Sequence, residues 1–169
     1  MKLRHPVVRG HPLHAIVTDG PITLIPLALA ASVAARARSS RETRFADDAA
    51  QRLALASIVP AVLLGWWDWL TIPGEHEAHS PATLHGLVNS AAAACVVGAL
   101  WRPRRAELLA LAAATIAVGG WLGGDLVYAL GWRVRKAELF EQIEEGRSRA
   151  EAEEIIREHE RNDTFLASA

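Results

Sequence analysis

Four ionisable residues lie inside long apolar stretches of this 169-residue chain. They are His14, Asp19, His85 and Asp125. A lipid bilayer makes such side chains costly to bury, and an ionisable residue there points by default to a functional site. Imidazole and carboxylate groups bind transition metals and transfer protons. The residue types therefore indicate metal binding or proton transfer as the chemistry to look for.

Four apolar stretches carry these residues and must position them. They are Pro12–Ala35, Leu53–Ile72, Ala82–Trp101 and Leu108–Trp132. Each is close to or above the roughly 20 mainly apolar residues that a helix needs to cross about 30 Å of hydrocarbon. None has the polar face that a soluble helix would need. The sequence therefore predicts an all-α protein, a transmembrane four-helix bundle, although the mean hydropathy is only +0.13.

A densely charged segment from Arg133 onward lowers that mean hydropathy. We expect a four-helix transmembrane domain over residues 1–134 and a charged helical tail over residues 135–169, with a break near Gly146. Within the transmembrane domain we expect three breaks between helices, at Arg36–Arg52, Pro73–Pro81 and Arg102–Arg105.

Basic residues are distributed unevenly among these breaks. The first and third breaks are rich in arginine, whereas the second has no Lys or Arg. The positive-inside rule then predicts a multi-pass protein of the inner (plasma) membrane with both termini outside the cytoplasm. Basic residues that flank the first and fourth helices oppose this orientation: Lys2, Arg4, Arg9, Arg133, Arg135 and Lys136. The net charge of −1 gives no sign of nucleic-acid binding.

Antiparallel threading of four helices brings the polar residues to one side of the membrane. The first and third helices begin on that side, and the second and fourth helices end there. The residues concerned are His11, His14, Asp19, Asp68, His85, Asn89 and Asp125. At about 1.5 Å per residue, each lies within roughly 10 Å of one surface. We predict a single His/Asp cluster there, and no comparable buried polar group in the opposite half.

Some of these features have a structural explanation as well. His11 and Asp68 also fit interfacial positions, bonded to water or to helix ends, and a structural hydrogen-bond network would account for the cluster. On the same side we expect an aromatic belt made by Trp66, Trp67, Trp69 and Trp132. Two overlapping GxxxG pairs favour close helix packing and need no functional reading: Gly119, Gly120, Gly123 and Gly124.

Three motifs in order resemble one known family. They are His11-Pro-Leu-His14, Leu84-His85 with Asn89, and Gly123-Gly124-Asp125-Leu126-Val127-Tyr128. The chain from about Arg9 to Val134 resembles the bacterial four-helix membrane family catalogued as domain of unknown function 2231. The resemblance implies an integral membrane protein, and relatives fused to Rieske-type iron–sulfur domains imply redox work. That family often has His where this chain has Asp125, which weakens haem ligation at this position and leaves carboxylate–metal ligation open.

Three functions remain in competition. In the first, His14 and His85 ligate haem or a transition metal in a redox-linked module, with His11 and Asp125 as further metal ligands. The second is a proton or ion relay through the cluster. The third is a non-catalytic scaffold whose cluster only fixes helix register. We favour the first.

The expected surroundings are a lipid bilayer and, for a redox module, a redox partner protein, and a homo-oligomer stays open. No nucleophile–base pair, phosphate loop or hydrolase motif occurs. A hydrolytic enzyme is therefore disfavoured, and no catalytic residue is assigned.

Overall fold

The computed structural model describes residues 6–8, 11–132, 143 and 146–163. Two residue pairs, β1 (Val7–Val8) and β2 (His11–Pro12), form a short antiparallel ladder before the first helix. The helices are α1 (Leu13–Val17), α2 (Asp19–Ala37), α3 (Arg41–Trp69), α4 (His79–Gly98), α5 (Arg105–Tyr128) and α6 (Arg149–Asp163). A 3₁₀ turn, Arg102–Arg104, leads into α5.

The four long helices α2, α3, α4 and α5 form a closed bundle in which each packs against two neighbours. The packed pairs are α2 with α3, α3 with α4, α4 with α5 and α5 with α2. Side chains from all four helices fill the centre, where Ile25, Ile58, Val96 and Leu109 are buried. The predicted all-α four-helix bundle is confirmed.

Three helical stretches among the described residues are long and apolar enough to cross a membrane: Leu13–Ala37, Arg41–Trp69 and Arg102–Tyr128. Large apolar side chains cover their outer surface, as Leu63 and Trp121 do with 66% and 74% exposure. An outward apolar surface suits lipid rather than water. The fourth long helix, α4, has 20 residues and is not among these three stretches; it carries the polar residues His79, His85 and Asn89.

The first predicted break, Arg36–Arg52, is wrong, because α3 begins at Arg41 and the break covers only residues 38–40. Ser40 starts the helix with a capping box: its hydroxyl accepts from the Thr43 N–H at 3.2 Å, and its own N–H donates to Thr43 Oγ1 at 3.1 Å. Such a cap satisfies backbone groups that a helix start leaves unpaired. The helix therefore continues beyond the apolar stretch that marks its membrane part.

The opposite half of the bundle contains buried polar groups, which corrects the prediction that it has none. Arg105 is 5% exposed, and its guanidinium contacts Asp47 at 2.7 Å and Asp48 at 2.8 Å and donates to the Ala99 carbonyl at 3.0 Å. Gln51 is also buried and donates to the Val96 carbonyl at 2.7 Å. Most of these residues lie in the helical turns that the sequence assigned to loops. The charged end is therefore an ordered clamp, which we call the Arg105 clamp.

The helix α6 begins shortly after Gly146, where the sequence predicted a break. Gly146 has a φ of +89°, a backbone conformation that favours glycine. Ser148 then caps the helix, and its backbone N–H donates to Glu151 Oε2 at 2.9 Å. The hydrogen bond from the Ser148 side chain lowers the pKa of the Glu151 carboxyl. The expected boundary between residues 134 and 135 falls outside the described residues.

Candidate functional site

A cavity of about 420 Å³ lies at the end of the bundle opposite the Arg105 clamp. Its wall is mainly apolar and carries four polar side chains predicted from the sequence, those of His14, Asp68, His85 and Asn89. A volume of this size falls within the roughly 300–1,000 Å³ of ligand and cofactor sites. Four members of the predicted one-sided cluster therefore line a space that is large enough for a small molecule.

His14 reaches the cavity from the short helix α1. Its Nδ1–H donates to the Ala61 carbonyl on α3 at 3.1 Å. Gly65, one turn further along α3, leaves room for the ring, because a Cβ at that position would lie 2.9 Å from His14 Cε1. The backbone of α3 thus orients the imidazole, and the missing side chain at residue 65 lets it approach.

His85 is held in the same way by α5. Its Nδ1–H donates to the Gly119 carbonyl at 2.9 Å, and a Cβ on Gly123 would lie 2.9 Å from its Cε1. Asn89, one turn along α4, donates to His85 Nε2 at 3.1 Å and to the His85 carbonyl at 2.9 Å. These contacts fix both the orientation and the tautomer of the ring.

The two imidazoles both line the cavity and lie in a T-shaped arrangement. Their ring centroids are 6.2 Å apart, and their planes cross at 79°. Because a carbonyl oxygen can only accept, each Nδ1 must carry the proton, and in a neutral ring the Nε2 lone pair becomes the acceptor. The structure thus brings together the two residues that the sequence proposed as principal ligands.

Tryptophans form part of the cavity wall, where the sequence predicted only an aromatic belt. Trp66 Nε1–H donates to Ser90 Oγ at 2.9 Å, and Trp69 Nε1–H donates to Thr83 Oγ1 at 2.8 Å. Trp132 lines the cavity as well. With both indole N–H groups bonded to α4, Trp66 and Trp69 hold fixed positions in the cavity wall.

The other proposed acidic residues lie apart from this pair. Asp19 and Asp125 are exposed, and neither lines the cavity. Gly123 faces inward, and a helix turns about 100° per residue, so a residue two positions later points to the opposite side. Asp125 therefore shares the outward face of α5 with Trp121, as its i,i+4 spacing from that residue requires.

The remaining predicted ligand, His11, pairs with Val8 through the backbone, and its side chain lies outside the described part of the structure. In the loop after α3, the exposed His76 packs its ring on Trp132, with ring centroids 4.5 Å apart. His79, the first residue of α4, packs on Trp69, with ring centroids 5.1 Å apart. Within the described ranges, no group of three or more His, Cys, Asp or Glu side chains could hold a metal ion.

Two glycines of α5 help to form the candidate site, although the sequence analysis assigned them to helix packing. Gly119 and Gly123 belong to the GxxxG pairs, which were attributed to helix packing alone. In the structure they receive the polar side chains of α4, since a Cβ on Gly119 would lie only 2.3 Å from Asn89 Oδ1. Their i,i+4 spacing matches that of His85 and Asn89, and this match was the available signal.

Comparison with known proteins gives one positive result. No curated protein and no solved structure matches the chain. A family model described as "Predicted membrane protein (DUF2231)" matches residues 10–136, a range that includes α1 to α5 and every residue of the cavity wall. The chain therefore belongs to the DUF2231 family of predicted membrane proteins.

Proposed function

We propose that this membrane protein is a redox-linked module that holds haem, or a related transition-metal cofactor, between His14 and His85. The observation that carries the proposal is the matched anchoring of the two rings, whose Nδ1–H groups donate to the carbonyls of Ala61 and Gly119. Metal-binding histidines usually donate their second ring N–H to a carbonyl or a carboxylate, which raises the basicity of the ligating nitrogen.

The spacing of the rings favours haem over a bare metal ion. The ring centroids of His14 and His85 are 6.2 Å apart, a separation at which the two imidazoles would hold one metal atom between them at roughly 2.0–2.1 Å from each ring nitrogen. A bare ion would also need further ligands, and the described residues supply no third one.

Each part of the site has a role under this proposal. Haem, when bound, supplies one-electron chemistry, and histidine ligation tunes its potential. His14 and His85 would hold the iron, and the Ala61 and Gly119 carbonyls would orient them. His85 Nε2, which accepts from Asn89 in this structure, would exchange that hydrogen bond for the iron. The indoles of Trp66 and Trp69, with the rest of the apolar wall, would exclude water. Asp125 takes no part, because it lies on the outer face of α5.

The proton or ion relay finds less support. Buried polar groups occur at both ends of the bundle, at the cavity and at the Arg105 clamp. Between them lie Ile25, Ile58 and Val96, which are fully buried or nearly so. A proton path needs closely spaced titratable groups or water, and these apolar side chains provide neither.

The distribution of basic residues supports a location and an orientation in the membrane. We propose the inner (plasma) membrane, with the arginine-rich end that includes the Arg105 clamp in the cytoplasm and both termini outside. From Leu53 to Trp101 the chain contains no Lys or Arg, which suits a translocated loop at residues 70–78. A redox module also needs a redox partner, either a protein or a small molecule.

The decisive experiment measures cofactor content. Protein purified in detergent should show a Soret band and about one iron per chain, before or after reconstitution with haemin. His14→Ala and His85→Ala should each lose the band or convert the spectrum to that of a single axial histidine. Glu77→Ala, in the exposed loop and outside the cavity wall, is the control and should keep it. A colourless protein that binds neither haemin nor transition metals would refute the proposal.

A further inference from the structure

The arginine-rich end of the bundle carries an excess of positive charge. Residues 36–52 and 102–107 together contain eight arginines and four carboxylates, those of Glu42, Asp47, Asp48 and Glu107. Arg105 is buried with the two aspartates in the Arg105 clamp, and every other arginine of these two ranges is exposed. This end of the bundle therefore presents a cationic surface where the helices leave their apolar region.

Three of the exposed arginines lie together at the turn between α4 and α5. Arg102 and Arg104 belong to the 3₁₀ turn itself. Arg36 reaches this turn from the end of α2, because its guanidinium donates to the Pro103 carbonyl at 3.2 Å and to both oxygens of Glu107 at 2.8 Å. We call Arg36, Arg102 and Arg104 the arginine turn.

The arginine turn has more positive charge than its carboxylates balance. Arg36 and Arg102 form ion pairs with carboxylates of α5 and α3. Arg104 places its guanidinium over an exposed indole, with Cζ 5.9 Å from the centroid of the Trp101 ring, a distance at which a cation is attracted to the ring. The arginine turn and the Arg105 clamp together contain four guanidinium groups and three carboxylates. The net charge of this assembly is therefore +1.

The arginine turn lies where the apolar outer surface of α4 ends. Val97, Leu100 and Trp101 are 47%, 51% and 62% exposed, and Arg102 follows them directly in the sequence. Tryptophan side chains concentrate at the level of the lipid headgroups, since the indole has an apolar body and one polar N–H. An acyl chain can therefore contact the apolar side chains while a phosphate attached to it reaches the guanidinium groups.

We propose that the arginine turn binds the headgroup of an anionic phospholipid with a net charge of −1, such as phosphatidylglycerol. Guanidinium groups bind phosphate oxygens through paired, charge-assisted hydrogen bonds, and basic groups between membrane helices bind anionic headgroups. Phosphatidylcholine has the same phosphate, but its quaternary ammonium cancels the charge that the arginine turn requires. The site lies at the end of the bundle opposite the cavity and is independent of the proposed cofactor.

Two exposed arginines provide a matched pair of test variants. Arg104→Gln removes the guanidinium that lies over Trp101. Arg38→Gln removes the same charge from the loop between α2 and α3, at the same end of the bundle. Both side chains are exposed, and surface substitutions of this kind change stability by about 0.5 kcal/mol or less. Thermal unfolding in lipid-free detergent checks that both variants stay folded.

Native mass spectrometry of the full chain in detergent counts the bound lipids and measures their affinities. We expect one phosphatidylglycerol to bind about tenfold more tightly than phosphatidylcholine with the same acyl chains. Arg104→Gln should weaken the binding of phosphatidylglycerol about fivefold, the usual effect of one arginine near an anionic membrane surface. Arg38→Gln should bind it like the wild type. Water-soluble glycerophosphoglycerol, at the same concentration, should not compete, because it has no acyl chain to bury.

Three outcomes would overturn the proposal. Equal affinities for the two lipids would show that the net charge of the headgroup is not recognised. Equal weakening in Arg104→Gln and Arg38→Gln would indicate diffuse attraction to the whole charged end, without a site at the arginine turn. Competition by glycerophosphoglycerol would identify a site for a soluble phosphodiester instead of a lipid. The Soret band of the same samples tests the proposed cofactor separately, so either proposal can fail alone.

Discussion

Asn89 packs against the backbone of Gly119, and this contact sets the position of the His85 ring. Adding a methyl group at Gly119 would place it 2.3 Å from Asn89 Oδ1. We expect Gly119→Ala to destabilise the protein by about 1–3 kcal/mol, the usual cost of overpacking. Thermal unfolding in detergent measures the effect. Gly120→Ala is the control, because its Cβ meets nothing within 4 Å, and its stability should be unchanged or slightly raised. Equal effects of the two changes would contradict the packing account.

His85→Leu separates a functional cluster from a structural network. For a functional residue, burial is a cost that binding justifies, so we expect the unfolding temperature to stay the same or rise while cofactor binding is lost. A scaffold gives the opposite result, because Asn89 loses its acceptor at Nε2 and stability falls by roughly 1–3 kcal/mol. A lower unfolding temperature in a protein that never bound a ligand would favour the scaffold.

The two histidines of the cavity could be predicted from the sequence, but their surroundings could not. An imidazole inside an apolar stretch is conspicuous, and threading alone places His14 and His85 on one side of the membrane. The glycine spacing that marks the inward face of α5 was attributed to helix packing alone. Asp125 was therefore expected as a ligand, although the inward face belongs to Gly119 and Gly123. The Ala61 carbonyl had no signal in the sequence at all.

The N-terminal parts of α3 and α5 carry the charged residues of the Arg105 clamp. Arg105 is buried with two carboxylates, whereas the Arg36–Glu107 pair is 48% and 60% exposed at its two side chains. Removing one partner of a buried ion group costs about 3–5 kcal/mol, and an exposed pair contributes roughly 0–1 kcal/mol. We expect Arg105→Met to be strongly destabilising and Arg36→Met nearly neutral in unfolding measurements.

Similar losses in both variants would mean that the Arg105 clamp is solvated and contributes little. The control is well matched, since both arginines lie at the same end of the bundle and each contacts a carboxylate on another helix.

The presence of the four long helices could be predicted from the sequence, but their lengths could not. Apolar stretches mark the part of a helix that contacts lipid, and each of the four stretches is mainly helical in the structure. A helix that extends into water needs only backbone hydrogen bonds and a cap, such as the Ser40–Thr43 capping box. Charged residues at Arg41–Arg52 therefore resembled a loop by composition. The Arg105 clamp was missed for the same reason.

The whole molecule has one charged end and one cavity end, and this asymmetry predicts its orientation. In a Cys95→Ala background, Glu77→Cys places a thiol in the exposed loop beside the cavity, and Ser39→Cys places one at the arginine-rich end. We expect a membrane-impermeant maleimide to label residue 77 in intact cells and residue 39 only after lysis. The reverse pattern would invert the proposed topology.

The short helix α1 lies at the cavity end of the bundle, and this has a consequence for the rate at which an occupant leaves. This helix has five residues, none of them buried, no side-chain cap, and a separate start from α2. It nevertheless carries His14, whereas His85 belongs to a 20-residue helix packed on two neighbours. Displacing one short turn costs far less than parting the bundle. Residence time at the site should therefore depend on α1: its amides should exchange hydrogen faster than those around His85, and occupancy should slow them most.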